Sequence, residues 1–226
     1  MQRSRGEEPS VSGAWLVARS IELRLLVGAA VLFAVAWSWT APTLSERLLR
    51  DTLVFVLGPL ALVAFDRRRV GWRIDRRAIR YAVALTVVVL PFYVVGASVP
   101  AVREAYPMIE RAAPTLAAFA PVAVAYLWLV VAVETYFRGL CCLGLRSWGP
   151  IALVVHVPAY VVWHVGQPPI EVVLSAPAGV LFAVPDYYAE SILPSVVAHW
   201  VGLLVLELLV GHPPLVDLSW LPLSAV

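Results

Sequence analysis

"VVAVETYFRGL", residues 130–140, sets a carboxylate and a guanidinium, Glu134 and Arg138, at the end of an otherwise almost wholly apolar run. The run extends from about residue 116 to 137. A bilayer crossing takes ~20 apolar residues at ~1.5 Å of rise each, so this block is long enough to be a membrane helix. Within such a helix an Asp or Arg costs roughly 2.5–3.5 kcal/mol on insertion scales and usually faces the bundle interior. Four residues apart, Glu134 and Arg138 share one helix face. An intrahelical ion pair makes both charges tolerable. It does not say why either is there.

Working outward, the whole chain is of the same kind. It has 226 residues, 61% of them hydrophobic, a mean hydropathy of +0.84 and only 14% charged residues. A soluble domain carries about 25% charged residues, so a soluble all-α domain is a poor fit. The apolar residues come in blocks at about 25–39, 52–65, 81–99, 116–137, 150–165, 170–184 and 190–210. The block at 52–65 is short for a full crossing. The expected fold is all-α, a polytopic transmembrane bundle of about seven helices over 25–210. A polar tail at 1–24 precedes it and a Pro-rich tail at 211–226 follows. The first apolar block starts too late for a cleaved signal peptide. No repeat and no room for a second soluble domain are visible.

All 17 cationic residues are Arg, and seven of them fall in "DRRRVGWRIDRRAIR", 66–80. By the positive-inside rule this connection faces the cytoplasm. Membrane topology accounts for such a loop without nucleic acid as a partner. Seven crossings then put the N-terminus inside and the C-terminus outside. Cys141 and Cys142 are adjacent, which rules out a disulfide scaffold.

The other ionisable residues in the blocks are His156, His164, His199 and Glu207, with Glu171 and Glu190 at block ends and read as interfacial. Gly149 and Pro150 mark a turn between two blocks. Glu134 lies fifteen residues before Gly149 and His164 fifteen after it. If both arms are α-helical, each residue is roughly 22 Å from the turn, and an antiparallel hairpin levels them. His199, near the middle of the last block, falls at a comparable depth. A carboxylate and two imidazoles in one buried site can activate water and stabilise an oxyanion. The same set can hold zinc, although no His-Glu-x-x-His pattern occurs. A structural polar cluster, each His satisfied locally, is the third reading.

"ETYFRG" (134–139) resembles the first motif, Glu-Glu-x-x-x-Arg, of the CAAX-protease and bacteriocin-processing (CPBP) family of intramembrane glutamic proteases. "YVVWH" (160–164) is similar to its second motif, an aromatic residue four positions before a His. "SILPSVVAHW" (191–200) is similar to its third. The resemblance spans about 116–210 and implies catalytic roles for Glu134, His164 and His199. It implies supporting roles for Arg138 and Tyr160, with His156 as a further polar group lining the cavity. It also implies an integral protein of the bacterial plasma membrane, no cofactor or metal, and a membrane protein or a lipidated or leader peptide as substrate. Two positions depart from the pattern. The first glutamate is Val133, and the Asn or Asp expected four residues after His199 is Leu203. Adjacent helix positions differ by ~100°, so Glu134 does not occupy the place of the missing residue. Glu207 lies about 12 Å beyond His199 along the helix and is not expected to compensate. An endopeptidase is therefore set against an inactive scaffold of the same fold. A proton-coupled transporter ranks third, because no inverted repeat is visible.

Overall fold

The computed structural model describes residues 11–64, 66–107, 116–218 and 220. The outermost parts of both tails and the second half of the loop "PAVREAYPMIERAAP" lie outside the described residues. Every regular element among those described is helical. Helix α1 (Val11–Ser38) begins inside the segment read as a polar tail. α2 (Leu44–Asp51) runs through a π-helical turn at Thr52–Leu57 into α3 (Gly58–Leu62). α4 (Arg76–Gly96) and the short α5 (Pro100–Ala105) follow. α6 (Leu116–Glu134) passes into a second π-helical turn at Thr135–Leu140. A 3₁₀ segment (Leu143–Ile151) leads to α7 (Ala152–Val155) and α8 (Val157–Trp163). α9 (Pro169–Ala189) and α10 (Leu193–Val210) complete the bundle.

Five of these helices are long and apolar enough to cross a membrane: Ile21–Ser38, Arg76–Gly96, Phe119–Leu140, Pro169–Ala189 and Leu193–Val210. The bent pair Leu143–Val155 and Val157–Trp163 brings the number to six. The block at 52–65, read as short for a full crossing, is not among them. The helical bundle stands as expected, with five or six clear crossings in place of about seven. Large apolar side chains such as Val31, Val87, Phe92, Val124 and Val173 are exposed on its outer face, as lipid requires.

Local chemistry sets the ends and bends. Thr43 Oγ1 accepts the Glu46 N–H at 3.3 Å while Glu46 Oε2 accepts the Thr43 N–H at 3.0 Å, a reciprocal cap that starts α2. Asp75 Oδ1 accepts the Ala78 N–H at 2.9 Å and starts α4; that bond, aided by Arg73, holds its carboxyl below the usual range. Pro158 has no N–H to return to the Val154 carbonyl, and the chain bends by 46° at His156.

Two glycines let elements approach closely. A Cβ at Gly202 of α10 would collide with the Tyr93 ring of α4. A Cβ at Gly139 would lie 2.7 Å from the Val70 carbonyl oxygen, so the Arg-rich connection rests on backbone at the residue after Arg138. The core beside it is aromatic. Phe55 and Tyr136 have centroids 4.8 Å apart, as do Tyr136 and Phe137, and Phe137 and Tyr160 are 5.1 Å apart.

Gly139→Ala is expected to destabilise the fold by about 1–3 kcal/mol, since a backbone carbonyl cannot yield as a side chain does. Thermal unfolding in detergent should show the loss. Gly144→Ala, whose Cβ meets nothing closer than 3.7 Å, is the control that should unfold as wild type.

Candidate active site

Glu134 ends α6, and the π turn after it carries Arg138. The extra residue per turn is visible in the Cys141 N–H donating to the Tyr136 carbonyl at 3.0 Å, five residues back. All six residues of this turn are buried. Glu134 and Arg138 have no exposed side-chain surface, and Arg138 Nε stands 3.2 Å from Glu134 Oε2. The guanidinium carbon lies 4.1 Å from the centroid of the Tyr160 ring and 5.8 Å from that of Phe182. Aromatic faces thus meet the N–H groups that have no hydrogen-bond acceptor.

The other oxygen, Glu134 Oε1, is 2.7 Å from His199 Nδ1. A carboxylate paired with Arg138 can only accept, so Nδ1 carries the proton and Nε2 is left as the basic nitrogen. α10 is held in register for this contact at its first turn. There the Ser195 N–H donates to Asp186 Oδ1 at 3.0 Å, and the Ser195 hydroxyl donates to the Ile192 carbonyl at 3.0 Å. Asp186, fully buried on α9, was not singled out from the sequence. Its signal there was a carboxylate two residues past the end of an apolar block.

His164 closes α8. Its Nδ1 lies 2.7 Å from the Tyr160 carbonyl oxygen, an acceptor, so this ring also holds its proton on Nδ1. The Tyr160 and His164 rings meet edge to face at 4.5 Å. The aromatic residue of the second motif therefore has two tasks, orienting His164 through its carbonyl and covering Arg138 with its ring. His156, expected beside the cavity, is buried elsewhere. Its Nε2 lies 3.2 Å from the Gly179 carbonyl oxygen, and it is not on the cavity wall.

A cavity of about 400 Å³ brings the imidazoles together. Its wall includes His164, His199, Tyr160, Val133, Leu203 and Glu171. Val133 faces the space and Glu134 is turned away, as a rotation of ~100° between neighbours demands. Leu203, one turn past His199, lines the same wall. Of the two imidazoles expected at the depth of Glu134, it is His199 that bonds the carboxylate, while His164 stands on the cavity wall. Glu171 is not merely interfacial, because it lines the cavity and accepts a hydrogen bond from the Tyr106 hydroxyl at 3.2 Å. Glu207 is engaged by the Tyr126 hydroxyl. Among the described residues no three His, Cys, Asp or Glu side chains converge as metal ligands do.

Removing one partner of a buried ion pair costs about 3–5 kcal/mol, whereas replacing both by apolar residues is often close to neutral. Arg138→Leu is accordingly expected to unfold more readily than the double variant Glu134→Leu/Arg138→Leu. Equal loss in both, read by thermal unfolding, would mean that the pair is not the source of the cost.

Neither curated proteins nor solved structures give a significant match to the chain. Residues 115–204, which hold all three motifs, match the family described as type II CAAX prenyl endopeptidase Rce1-like. That match bears out, over this segment, the resemblance read from the three motifs: residues 115–204 are similar to the Rce1-like, CAAX-type endopeptidases.

Proposed function

We propose that the protein is an intramembrane endopeptidase in which a Glu134–His199 pair is the general base. The observation that carries this reading is the 2.7 Å bond between Glu134 Oε1 and His199 Nδ1, with His199 on the cavity wall and the carboxylate behind it. Such an arrangement fixes the tautomer of the ring and stabilises the imidazolium that forms when Nε2 takes a proton. Glu134 thus acts through His199. It is a positioning residue, and its ion pair with Arg138 holds it in place.

The chemistry balances with these groups alone. A water in the cavity attacks the scissile carbonyl carbon, a C–O bond forms, and the proton passes to His199 Nε2. The oxyanion of the tetrahedral intermediate needs a donor; with its first proton held on Nδ1 by the Tyr160 carbonyl, His164 donates from Nε2 as an imidazolium, its second proton taken from solvent through the cavity and kept through the reaction. Collapse breaks the C–N bond, and the imidazolium of His199 returns its proton to the leaving amine. The valine at 133 removes the carboxylate that the family pattern sets on the wall, and the imidazole of the pair takes over its task.

The matched family is named for prenyl endopeptidases, and the substrate class follows at that coarse level: a peptide segment of a membrane-associated protein, a lipidated tail or a leader peptide. The lipid bilayer is the second partner.

Purified protein in lipid nanodiscs should be assayed on three peptides: a farnesylated C-terminal peptide, a leader peptide and the membrane-proximal stretch of a single-span protein. Glu134→Gln is expected to lower kcat by about 10²–10⁴-fold with little change in KM, the range for loss of general-base catalysis. His199→Ala should lose at least as much, and His164→Ala should also fall. Wild-type turnover in folded Glu134→Gln would remove the carboxylate–imidazole pair from the mechanism. No product from wild type on any of the three would remove the endopeptidase reading and leave a binding role for the cavity.

A further inference from the structure

The bundle has two chemically different ends. One gathers the Arg-rich connection, the 3₁₀ segment and the turn between α9 and α10. There Glu190 pairs with Arg146 at 2.7 Å and with Arg73 at 3.3 Å. The Ile192 N–H donates to the Gly71 carbonyl at 3.1 Å, and the Ser191 hydroxyl donates to the Arg73 carbonyl at 2.6 Å. Trp148 Nε1 donates to Glu22 Oε2 at 2.7 Å, which brings α1 to the same end.

The other end gathers α5, the end of α10 and the turn between α8 and α9. Arg103 donates to the Ala97 and Val210 carbonyls, each at 2.9 Å. The Leu215 N–H donates to Ser98 Oγ at 3.1 Å, and the Tyr106 hydroxyl reaches Glu171.

The cavity belongs to this second end. Thr40, Arg47, Asp51, Tyr106, Gln167 and Glu171 line it, and no residue of 66–75, 141–151 or 190–192 does. The charge is placed the opposite way. Arg67, Arg68, Arg69, Arg73, Arg76, Arg77 and Arg80 are all exposed at the first end, with Arg146 beside them. At the second end the described arginines are Arg47, Arg50 and Arg103, none of them exposed. Arg50 is bound to Asp51 at 2.8 Å, and Arg103 is spent on carbonyls. Cationic residues in short connections stay on the cytoplasmic side during insertion, and acidic residues count for little.

We infer that the cavity opens on the extracytoplasmic side of the membrane, so its substrate is a peptide segment that has already crossed. The juxtamembrane stretch of an anchored protein or an exported peptide fits this, and a lipidated tail that stays in the cytoplasm does not. The substrate half of this inference rests on the endopeptidase reading. The sidedness rests on charge and topology alone.

Cysteine labelling in spheroplasts of an expressing bacterium tests the sidedness without any turnover. Cys141 and Cys142 are buried, so the unsubstituted protein is the blank. Ile74→Cys lies exposed in the Arg-rich connection, and Pro213→Cys lies exposed beyond α10. With a membrane-impermeant maleimide, Pro213→Cys should label in intact spheroplasts and Ile74→Cys only after permeabilisation. The reverse pattern overturns the inference and leaves the hydrolytic chemistry untouched. A second arm uses two single-span reporters that carry the same unstructured stretch beside the membrane, on opposite sides. Cutting of the outward reporter alone is expected. Cutting of the cytoplasmic one alone overturns the inference, even with labelling as expected. Labelling as expected with neither reporter cut supports the sidedness and overturns the endopeptidase reading instead.

Discussion

The structure turns on a carboxylate with no exposed surface, Glu134, shared between a guanidinium at 3.2 Å and an imidazole at 2.7 Å. Taking an isolated charge out of water costs several kcal/mol even after relaxation. Each neighbour offsets part of that cost. Arg138 neutralises the charge, Tyr160 and Phe182 cover Arg138 with their rings, and His199 supplies the hydrogen bond that the guanidinium does not complete. The group draws on α6 and its π turn, α8, α9 and α10. Loss of one member leaves another charge or polar atom buried without a partner, so the polar centre and the helix packing form one cooperative unit.

This dependence bears on function through a single rotation. Residues 133 and 134 are neighbours on α6 and point about 100° apart. The carboxylate sits at the inward position, where it is paired and dry. The valine faces the cavity. A buried, doubly engaged carboxylate is poorly placed to meet a water, but well placed to fix a ring that can. The two histidines on the wall both hold their protons on Nδ1, for different reasons: His199 against a carboxylate, His164 against the Tyr160 carbonyl. Only the first has an anion behind it, at 2.7 Å.

The sequence made the bundle legible because lipid-facing helices write themselves as apolar blocks, and six of the blocks fall on the clear or bent crossings. The polar centre was legible because charges in such blocks have so few reasons to be there. What could not be read came from two sources. The equal spacing about Gly149 took both arms as regular α-helix at ~1.5 Å per residue. The backbone runs instead through a π turn, a 3₁₀ segment with Gly149 at φ 65° and a bend at His156. The other source is convergence of distant segments. Glu171 and Tyr106 are 65 residues apart in sequence and meet at the cavity, and no local pattern announces that.

The Arg-rich connection exposes its guanidiniums, while its backbone is built into the fold. Val70 rests on Gly139, directly after Arg138. The Gly71 and Arg73 carbonyls accept from Ile192 and Ser191, the residues just before α10. Glu190 in the same turn is held by Arg146 and Arg73, and those charges keep its carboxyl below the usual range. Six residues after Leu193, α10 delivers His199 to Glu134. On the inferred orientation, the connection that stays on the cytoplasmic side also fixes the start of the helix that carries His199. The same fifteen residues, 66–80, hold seven exposed arginines and the backbone that receives the start of α10.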